Sequence, residues 1–391
     1  MKTTPEVFDF AIVGAGAAGL HLAQAMMEDS FFRNKKILII DKAAKDVNDK
    51  TWCYWETGKG KWDKIAHKIW EKGYFVTNNR YQLLEMGPFK YKMLRAIDFY
   101  NHAKQQILLQ ANFKWVQEEV LNIVDGANVK IECEKHSFQA IHVFDSRIDK
   151  EFFQNKDSSI RILQHFKGWM IETVSDVFNP DEFVMMDFRL KWKESASFTY
   201  VLPTSKRKAL VEFTLFTPEL INDADYDLML KSYVENILKV KDYKITEVEQ
   251  GVIPMTNYPF HKKSSAYITK IGTAGSWVKP SSGYSFKNSE RFAAKVVSNI
   301  KNGRVPSKGI GTNRHRKYDS IFLDVLKNKN ELGEKIFTAM YLKNPAYRIF
   351  RFLDEKTTLA EDLKIIASFE SAPFIASFFN VVKKSKIVSG F

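Results

Sequence analysis

Val7-Phe-Asp-Phe-Ala-Ile-Val-Gly14-Ala-Gly16-Ala-Ala-Gly19-Leu-His-Leu-Ala, near the start of a 391-residue chain, decides the fold. A short β-rich apolar run, Val7 to Val13, leads into glycines spaced Gly14-x-Gly16-x-x-Gly19, and a helical stretch follows from Leu20 to Met27. Lys36 to Asp41 (KILIID) reads as a second buried strand. Strand, turn, helix and strand within about 35 residues is the size of one mononucleotide-binding unit. Its strands are continuous apolar runs, as in a parallel sheet covered on both faces. The first glycine permits a tight turn, the second lets the backbone approach a pyrophosphate, and the third lets helix and strand pack closely. The backbone of Gly14, Ala15, Gly16 and Gly19 then offers free N–H groups to phosphates at a helix N-terminus. Asp41 closes the second strand 22 residues after Gly19, where a ribose hydroxyl needs an acceptor. The run from Phe10 to Met27 has no Asp, Glu, Lys or Arg over nearly a membrane-spanning length. It reads better as strand, turn and helix, so no transmembrane helix is expected.

A second glycine segment lies late in the chain. Ile268 to Gly283 is a strand, then Gly272-Thr273-Ala274-Gly275, then Pro280-Ser-Ser282-Gly283 expected to open a helix. In two-lobe flavoproteins such a segment completes the flavin site, and a helix start aimed at the ring stabilises a reduced flavin's negative charge. Together with the position of the first unit, this favours FAD over NAD.

Between these segments, Asp49 to Gly87 reads as loops and strands near a pocket, Ala96 to Gln110 as a helix, and Phe113 to Ile123, Val129 to Cys133 and Phe138 to Asp145 as strands. Gln164 to Thr173, Glu182 to Phe188, Ser197 to Leu202 and Ala209 to Phe216 read as a mostly antiparallel second sheet. Tyr226 to Leu238, Asn288 to Lys301 and most of Ser320 to Val382 read as helical. The fold class is α/β: a Rossmann-type FAD-binding domain, an interwoven and mostly antiparallel β-sheet substrate domain, and a helical C-terminal region. Residues 1–145 form the first part of the FAD lobe, with an inserted pocket-lining segment at about 50–95. Residues 146–250 form the substrate domain, 251–305 return to the FAD lobe, and 306–391 are helical.

Hydrophobic residues make up 45% and charged residues 27% of the chain, a globular balance. Thirty-one Phe residues suit either an aromatic-lined cavity or a Phe-rich core. The formal net charge is +13, which fits anionic partners or a solvated lysine-rich surface. The basic residues are scattered and no nucleic-acid motif is present, so no nucleic-acid partner is expected. Cys53 and Cys133 have no metal-ligand spacing and build no disulfide framework, which fits a reducing, cytoplasmic setting and no metal site. The N-terminus has no signal-peptide pattern. Phe374-Ile-Ala-Ser-Phe-Phe-Asn-Val-Val-Lys383, with Lys384 and Lys386 beyond, suits either an interfacial helix on an anionic membrane surface or a terminal helix packed on the core.

Several short stretches recur in an order that points to one family. They are the opening DFAIVGAGAAGLHLA, Thr51-Trp-Cys-Tyr-Trp-Glu56, Pro88-Phe-Lys-Tyr91 with Arg95, Val143-Phe-Asp-Ser-Arg147 and Gln164-His-Phe-Lys-Gly168 to Glu172. Met186-Asp-Phe-Arg189, Tyr200-Val-Leu-Pro203, Ala209-Leu-Val-Glu212-Phe-Thr214, and Gly272-Thr-Ala-Gly275 to Pro280-Ser-Ser-Gly-Tyr284 complete the series. The chain resembles the lycopene cyclase family, flavoproteins that close the ends of linear carotenes. The resemblance implies a lycopene β-cyclase that uses reduced FAD without net redox, with electrons from NAD(P)H or another donor. It also implies a carotene drawn from the membrane by a protein docked peripherally on the inner face of the cell membrane. Such a reaction protonates a carbon–carbon double bond, closes a ring through a carbocation and removes a proton. It needs a carboxylic acid kept neutral by burial. Glu212, mid-strand in ALVEFTLF, matches the family acid, and Phe213 stands where a second acid is often found. Asp187 and Arg189 either hold the catalytic site together or form a plain salt bridge. Trp52, Tyr54, Trp55 and Glu56 either line the substrate pocket or pack in the core. Rival readings are a flavin monooxygenase or reductase acting on an isoprenoid lipid, and a non-catalytic flavin- or isoprenoid-binding protein. Thr273 stands where such oxygenases and reductases usually carry Asp.

Overall fold

The strands that read as unbroken apolar runs end up between covered faces. β1 (Val7–Val13) and β2 (Ile37–Asp41) lie inside a seven-stranded sheet. Its order is β8 (Phe113–Gln117), β2, β1, β11 (Ser137–Asp145), β10 (Val129–Cys133) and β9 (Val120–Val124), with β17 (Ile268–Lys270) beside the end of β11. β8, β2, β1, β11 and β17 run parallel, and β10 and β9 pair antiparallel. One face packs on α1 (Ala17–Met27), α2 (Ala96–Leu108) and α5 (Phe286–Lys301), burying Ile12, Ile39, Phe99 and Phe292. The other face buries Val13, Leu38, Val129 and Ile131. The computed structural model describes residues 6–154, 157 and 159–388, with side chains in the last helix up to Lys383.

The stretch Phe113 to Ile123, expected as one strand, is two. β8 and β9 sit at opposite ends of the sheet order, so the β9–β10 hairpin folds back across the sheet. Glu118 marks the break: its carboxylate accepts the backbone N–H groups of Lys135 and His136 at 3.1 and 3.2 Å and meets the His136 ring.

The second sheet also has seven strands: β16 (Tyr243–Thr256), β12 (Arg161–Thr173), β15 (Lys208–Thr217), β14 (Ala196–Pro203), β13 (Glu182–Asp187), β5 (Lys72–Thr77) and β6 (Arg80–Leu83). All neighbours are antiparallel except β13 and β5. Strand alternation divides its side chains between two faces. Trp169, Ile171, Val211, Phe213 and Leu215 pack outward under α4 (Asp223–Ser232) and the π turn Tyr233–Ile237. The inner face looks at the nucleotide lobe and the C-terminal helices. A small sheet of β4 (Lys68–Trp70), β7 (Phe89–Arg95) and β3 (Thr51–Thr57) bridges the lobes.

Two boundaries move relative to the sequence reading. The inserted segment gives β5 and β6 to the second sheet. The return to the first lobe comes after Thr256, because β16 pairs with β12 along its whole length and the chain rejoins the first sheet only at Ile268. Gly251 does not end that strand. It clears room for the Phe166 ring, whose Cζ lies 2.5 Å from where a Cβ would stand. A short α3 (Lys150–Gln154) follows the first sheet, and α6 (Asn313–Asn328), α7 (Gly333–Lys343), α8 (Ala346–Leu353), α9 (Leu359–Ile366) and α10 (Ser371–Val388) follow α5. Among the described residues no helix is long and apolar enough to cross a membrane.

Asp187, at the end of β13, is fully buried. Its carboxylate takes hydrogen bonds from Arg189 Nε at 3.0 Å and from the Tyr233 hydroxyl at 2.5 Å. The pair thus locks β13 to the π turn and lines neither of the large cavities described below. The salt-bridge alternative for Asp187 and Arg189 is the one that matches this placement. Because Arg189 is partly exposed, Asp187→Ala should cost about 2–3 kcal/mol, below the ~3–5 kcal/mol of a fully buried broken pair. Urea unfolding monitored by circular dichroism measures this.

Candidate active site

The glycine turn is built for close approach. Gly14 has φ +99°, and a Cβ there would stand 1.9 Å from Ser146 Oγ. Ser146, at the carboxyl end of β11, donates to the Val13 carbonyl through both its N–H and its hydroxyl, at 3.0 and 2.8 Å. Asp41 braces the same turn: one carboxylate oxygen accepts the Ala15 N–H at 2.6 Å, and Lys45 lies 3.5 Å away. Gly16, by contrast, faces open space, with nothing within 4 Å of its missing Cβ.

That space opens into a cleft of about 480 Å³ outside the carboxyl ends of the parallel strands, where open α/β sheets bind ligands. Gly16, Gly19, Ser146, Gly272, Thr273, Ser282 and Gly283 form its nucleotide-lobe wall, and Gln164, Tyr200, Glu212 and Glu249 form the wall from the second sheet. Ala274 and Gly275 sit behind it; a Cβ on Gly275 would lie 2.3 Å from the Lys270 carbonyl. Ser282 and Gly283 belong to a turn closed by the Gly283 N–H to Lys279 carbonyl bond of 2.9 Å. The helix expected to open at Pro280 starts instead at Phe286, because Gly283 has φ +70°. The Gln164 Oε1 and Ser282 Oγ atoms are buried without a hydrogen-bond partner among the described residues. Orphaned polar atoms, an open glycine cradle and the braced turn fit a dinucleotide held between the two lobes.

Glu212 projects into this cleft from the middle of β15. It pairs across the ladder with Tyr200 on one side and Gly168 on the other. Gly168 pairs in turn with Glu249 of β16. The two glutamates therefore stand in one row on the inner face, with a residue lacking a side chain between them. A Cβ at Gly168 would lie 3.2 Å from Glu249 Cγ and 3.4 Å from Glu212 Cβ. Thr214 Oγ1 donates to Glu212 Oε1 at 2.9 Å, and Thr51 Oγ1 donates to Glu249 Oε2 at 2.7 Å. Glu249 Oε1 is buried and has no partner among the described residues. A proton on Glu212 is the donor that would satisfy it.

The electrostatics agree. Burial, and then the charge of Glu249, hold the Glu212 carboxyl well above its ordinary value of 4.5. Burial also raises Glu249, but less, because Thr51 and Glu212 hydrogen-bond to it and Arg95 is near. Both carboxyls are raised by burial, and two this close hold one proton between them. Phe213 points the opposite way, buried under α4. An acid at 213 would not reach the cleft, and β16, a strand the sequence reading does not name, supplies the second carboxyl. An i, i+2 pair of glutamates, Glu247 and Glu249, was the available signal.

Next to Glu212 the cleft meets a larger cavity of about 1210 Å³. Tyr200, Ser282 and Tyr284 line both spaces. The larger one runs between the inner face of the second sheet and the C-terminal helices, past Phe198, Phe216, Phe337, Phe352 and Phe374. Burial pushes the phenols of Tyr200 and Tyr284 up, so both stay neutral.

The TWCYWE segment divides. Trp52 lines the dinucleotide cleft, as does Cys53. Tyr54 stacks on Phe286 and lies outside both cavities. Trp55 is buried behind Tyr284, stacked on Phe350 with ring centres 4.5 Å apart. Glu56 turns away from the substrate side to pair with Lys92 at 3.1 Å and Lys287 at 2.7 Å. Of the four expected pocket residues, Trp52 alone lines either of these two cavities. Tyr54 and Trp55 pack against aromatic rings, and Glu56 forms ion pairs.

The family model described as lycopene cyclase protein matches residues 9–380. The chain belongs to the lycopene cyclase family. No curated protein sequence matches it. Solved structures share its fold at low identity. A geranylgeranyl bacteriochlorophyll reductase-like protein from Thermoplasma acidophilum is 14% identical, with 96% of each chain covered and a TM-score of 0.59. A flavoprotein/dehydrogenase from Cytophaga hutchinsonii is 13% identical over 91% of this chain and 98% of its own, with a TM-score of 0.60. The flavin-dependent brominase Bmp2 is 12% identical over 97% of this chain and 99% of its own, with a TM-score of 0.58. The fold is thus one shared with flavoproteins.

The raised pKa of Glu212 makes its neutral form the one the fold favours. Its stabilising contribution is complete below pH 4.5 and is lost as pH rises through the elevated value. Glu212→Gln, which does not titrate, should therefore melt at a higher temperature than the parent protein above that pH. The gap should widen with pH and vanish in acid, as read by calorimetry.

Proposed function

We propose that the protein is a lycopene β-cyclase, converting the linear ends of lycopene into β-ionone rings by acid–base chemistry with no net redox. The observation that carries this reading is a carboxyl whose neutral form is favoured, Glu212, partly buried and facing the cleft where it meets a long aromatic cavity. Family membership supports it, as does the fit of the cavity to a hydrocarbon chain.

In this reading Gly16 and Gly19 face the pyrophosphate of FAD, with Gly14, Ala15 and Asp41 shaping and bracing their turn, and Gly272, Thr273, Ser282 and Gly283 face the flavin end. Reduced flavin, with electrons from NAD(P)H or another donor, would supply negative charge beside a developing cation. Glu212 hands its proton to the terminal double bond. A C=C bond is a very weak base, so the transfer needs an acid whose anion is the less comfortable form, which burial provides. Tyr200 and Tyr284 present neutral aromatic faces at the same place, suited to a carbocation. The apolar walls exclude water, which would otherwise trap that cation.

The substrate dissolves in membranes, and the rim of the large cavity suits a membrane surface. Leu359, Leu363, Ile375, Phe378 and Phe379 line the cavity and are also exposed. Lys383 is exposed one turn on; the side chains of Lys384 and Lys386 lie outside the described residues. We infer peripheral docking on the cytoplasmic face of the cell membrane through α9 and α10.

Expression in a lycopene-accumulating bacterium should turn red pigment orange-yellow. Glu212→Gln should cut ring formation by roughly 10²–10⁴-fold while the flavin stays bound. Unchanged red pigment from flavin-loaded parent protein would remove the cyclase reading. NADPH consumed in step with product would favour the monooxygenase or reductase alternative. Joint replacement Phe378→Asp and Phe379→Asp should weaken co-sedimentation with anionic vesicles about tenfold or more.

A further inference from the structure

Glu249 has a second neighbour besides the cleft. On its far side lies a separate pocket of about 390 Å³, lined by Asn48, Thr51, Arg95, Glu247 and Glu249 among others. Thr51, Leu210 and Glu249 line both this pocket and the dinucleotide cleft. The pocket is polar where the substrate cavity is apolar, and its outer rim is wet: Glu247 and Val47 are exposed. Arg95 grips Glu247 through two bonds of 2.8 and 2.9 Å, while its Nε is buried without a partner among the described residues. Glu249 itself is 9% exposed, with Oε1 unpartnered.

We propose that this pocket is the proton entrance of the active site, and that Glu249 passes protons between bulk water and Glu212 across the gap left by Gly168. The chemistry requires such a route. Once Glu212 has given its proton to substrate it is a partly buried anion facing the cleft, which substrate and cofactor would then fill. The substrate occupies one exit and the cofactor the other. Each ring takes up one proton from Glu212 at a double-bond carbon and loses one from a neighbouring carbon of the cation; that proton leaves to water through the same carboxyl pair, so one proton enters and one leaves per ring with no co-reactant. Once that proton is spent both carboxyls are anions; Glu249, which reaches both the acid and a water-accessible pocket, takes a proton from water on the outer side and passes it to Glu212, returning to its anion. The charged and titratable groups around it are Glu212 from β15, Glu247 from β16, Arg95 at the end of β7 and Cys53 from β3. His67 lies beside the Arg95–Glu247 pair. None of these offers Glu212 another path to water: Cys53 is held neutral by burial, and the Arg95–Glu247 pair lies on the outer side of Glu249.

This role rests on the reading of Glu212 as the acid, and the test separates the two. Infrared difference spectroscopy on the purified, flavin-loaded protein reads a protonated carboxyl directly. The parent protein should show a carboxylic C=O band that Glu212→Gln removes and that shifts promptly on transfer to D₂O. In Glu249→Gln the band should titrate at lower pH by about one unit or more, because a neighbouring negative charge is gone. Its deuterium exchange should slow at least about tenfold, the threshold we set for a lost relay. Val47→Trp, an exposed substitution at the rim, should slow exchange without moving the titration. Parent-like exchange in both variants would overturn the entrance. If the band behaves as described but no carotene is cyclised, the relay stands and the substrate assignment falls.

Discussion

Two neighbouring carboxyl groups, Glu249 buried and Glu212 partly buried, both raised above their ordinary values, are the constraint around which the cleft is built. Carboxylates are rarely buried, and two side by side repel. The arrangement persists only because one of them stays neutral. Everything nearby serves that condition. Gly168 leaves the space between them, Thr51 and Thr214 each give one hydrogen bond, and the aromatic cavity withholds water. The cost is borne by the fold as a whole, whose two large sheets and helical cap bury the pair without relying on it.

The site belongs to neither lobe alone. The nucleotide lobe contributes a glycine cradle and the turn around Ser282. The second sheet contributes Gln164, Tyr200 and both glutamates. β3 crosses between them and brings Thr51 to Glu249. The chain passes between lobes several times to achieve this, so the segment lengths are set by the cleft rather than by separate domains. The Asp145, Arg147, Asp149 and Lys270 cluster ties β11 to β17 at the crossing, with Lys270 Nζ 3.1 Å from Asp145 and 2.6 Å from Asp149. It fixes the position from which Gly272 and Thr273 face the cleft.

Polarity is divided between the spaces around Glu212. The large cavity is aromatic and opens among exposed apolar side chains of α9 and α10. The small pocket behind Glu249 carries the charges. In the proposed reaction a hydrocarbon and a proton would therefore have different ways to the same carboxyl. That separation is what acid catalysis on an alkene demands, since water arriving with the substrate would consume the cation.

The nucleotide unit was legible in the sequence because it is local. Gly14, Gly16, Gly19 and Asp41 lie within one strand–turn–helix–strand segment, where the positive φ of Gly14 and the Gly14 carbonyl 1.9 Å from a Cβ on Gly19 require glycine. Glu212 was singled out because it matches the family's acid and because an acid in the middle of a β-rich apolar run is costly to bury. The partnership of Glu212 with Glu249 was not, since it joins strands 37 positions apart through a third strand and depends on register. Register also turned Phe213 away, set Tyr54, Trp55 and Glu56 into packing and ion pairs, and kept Asp187 and Arg189 as a brace between β13 and the π turn. Sequence by itself determined which residues have the chemistry. Only the tertiary structure decided which of them meet, because strand pairing is long-range and a shift of one residue sends a side chain to the opposite face.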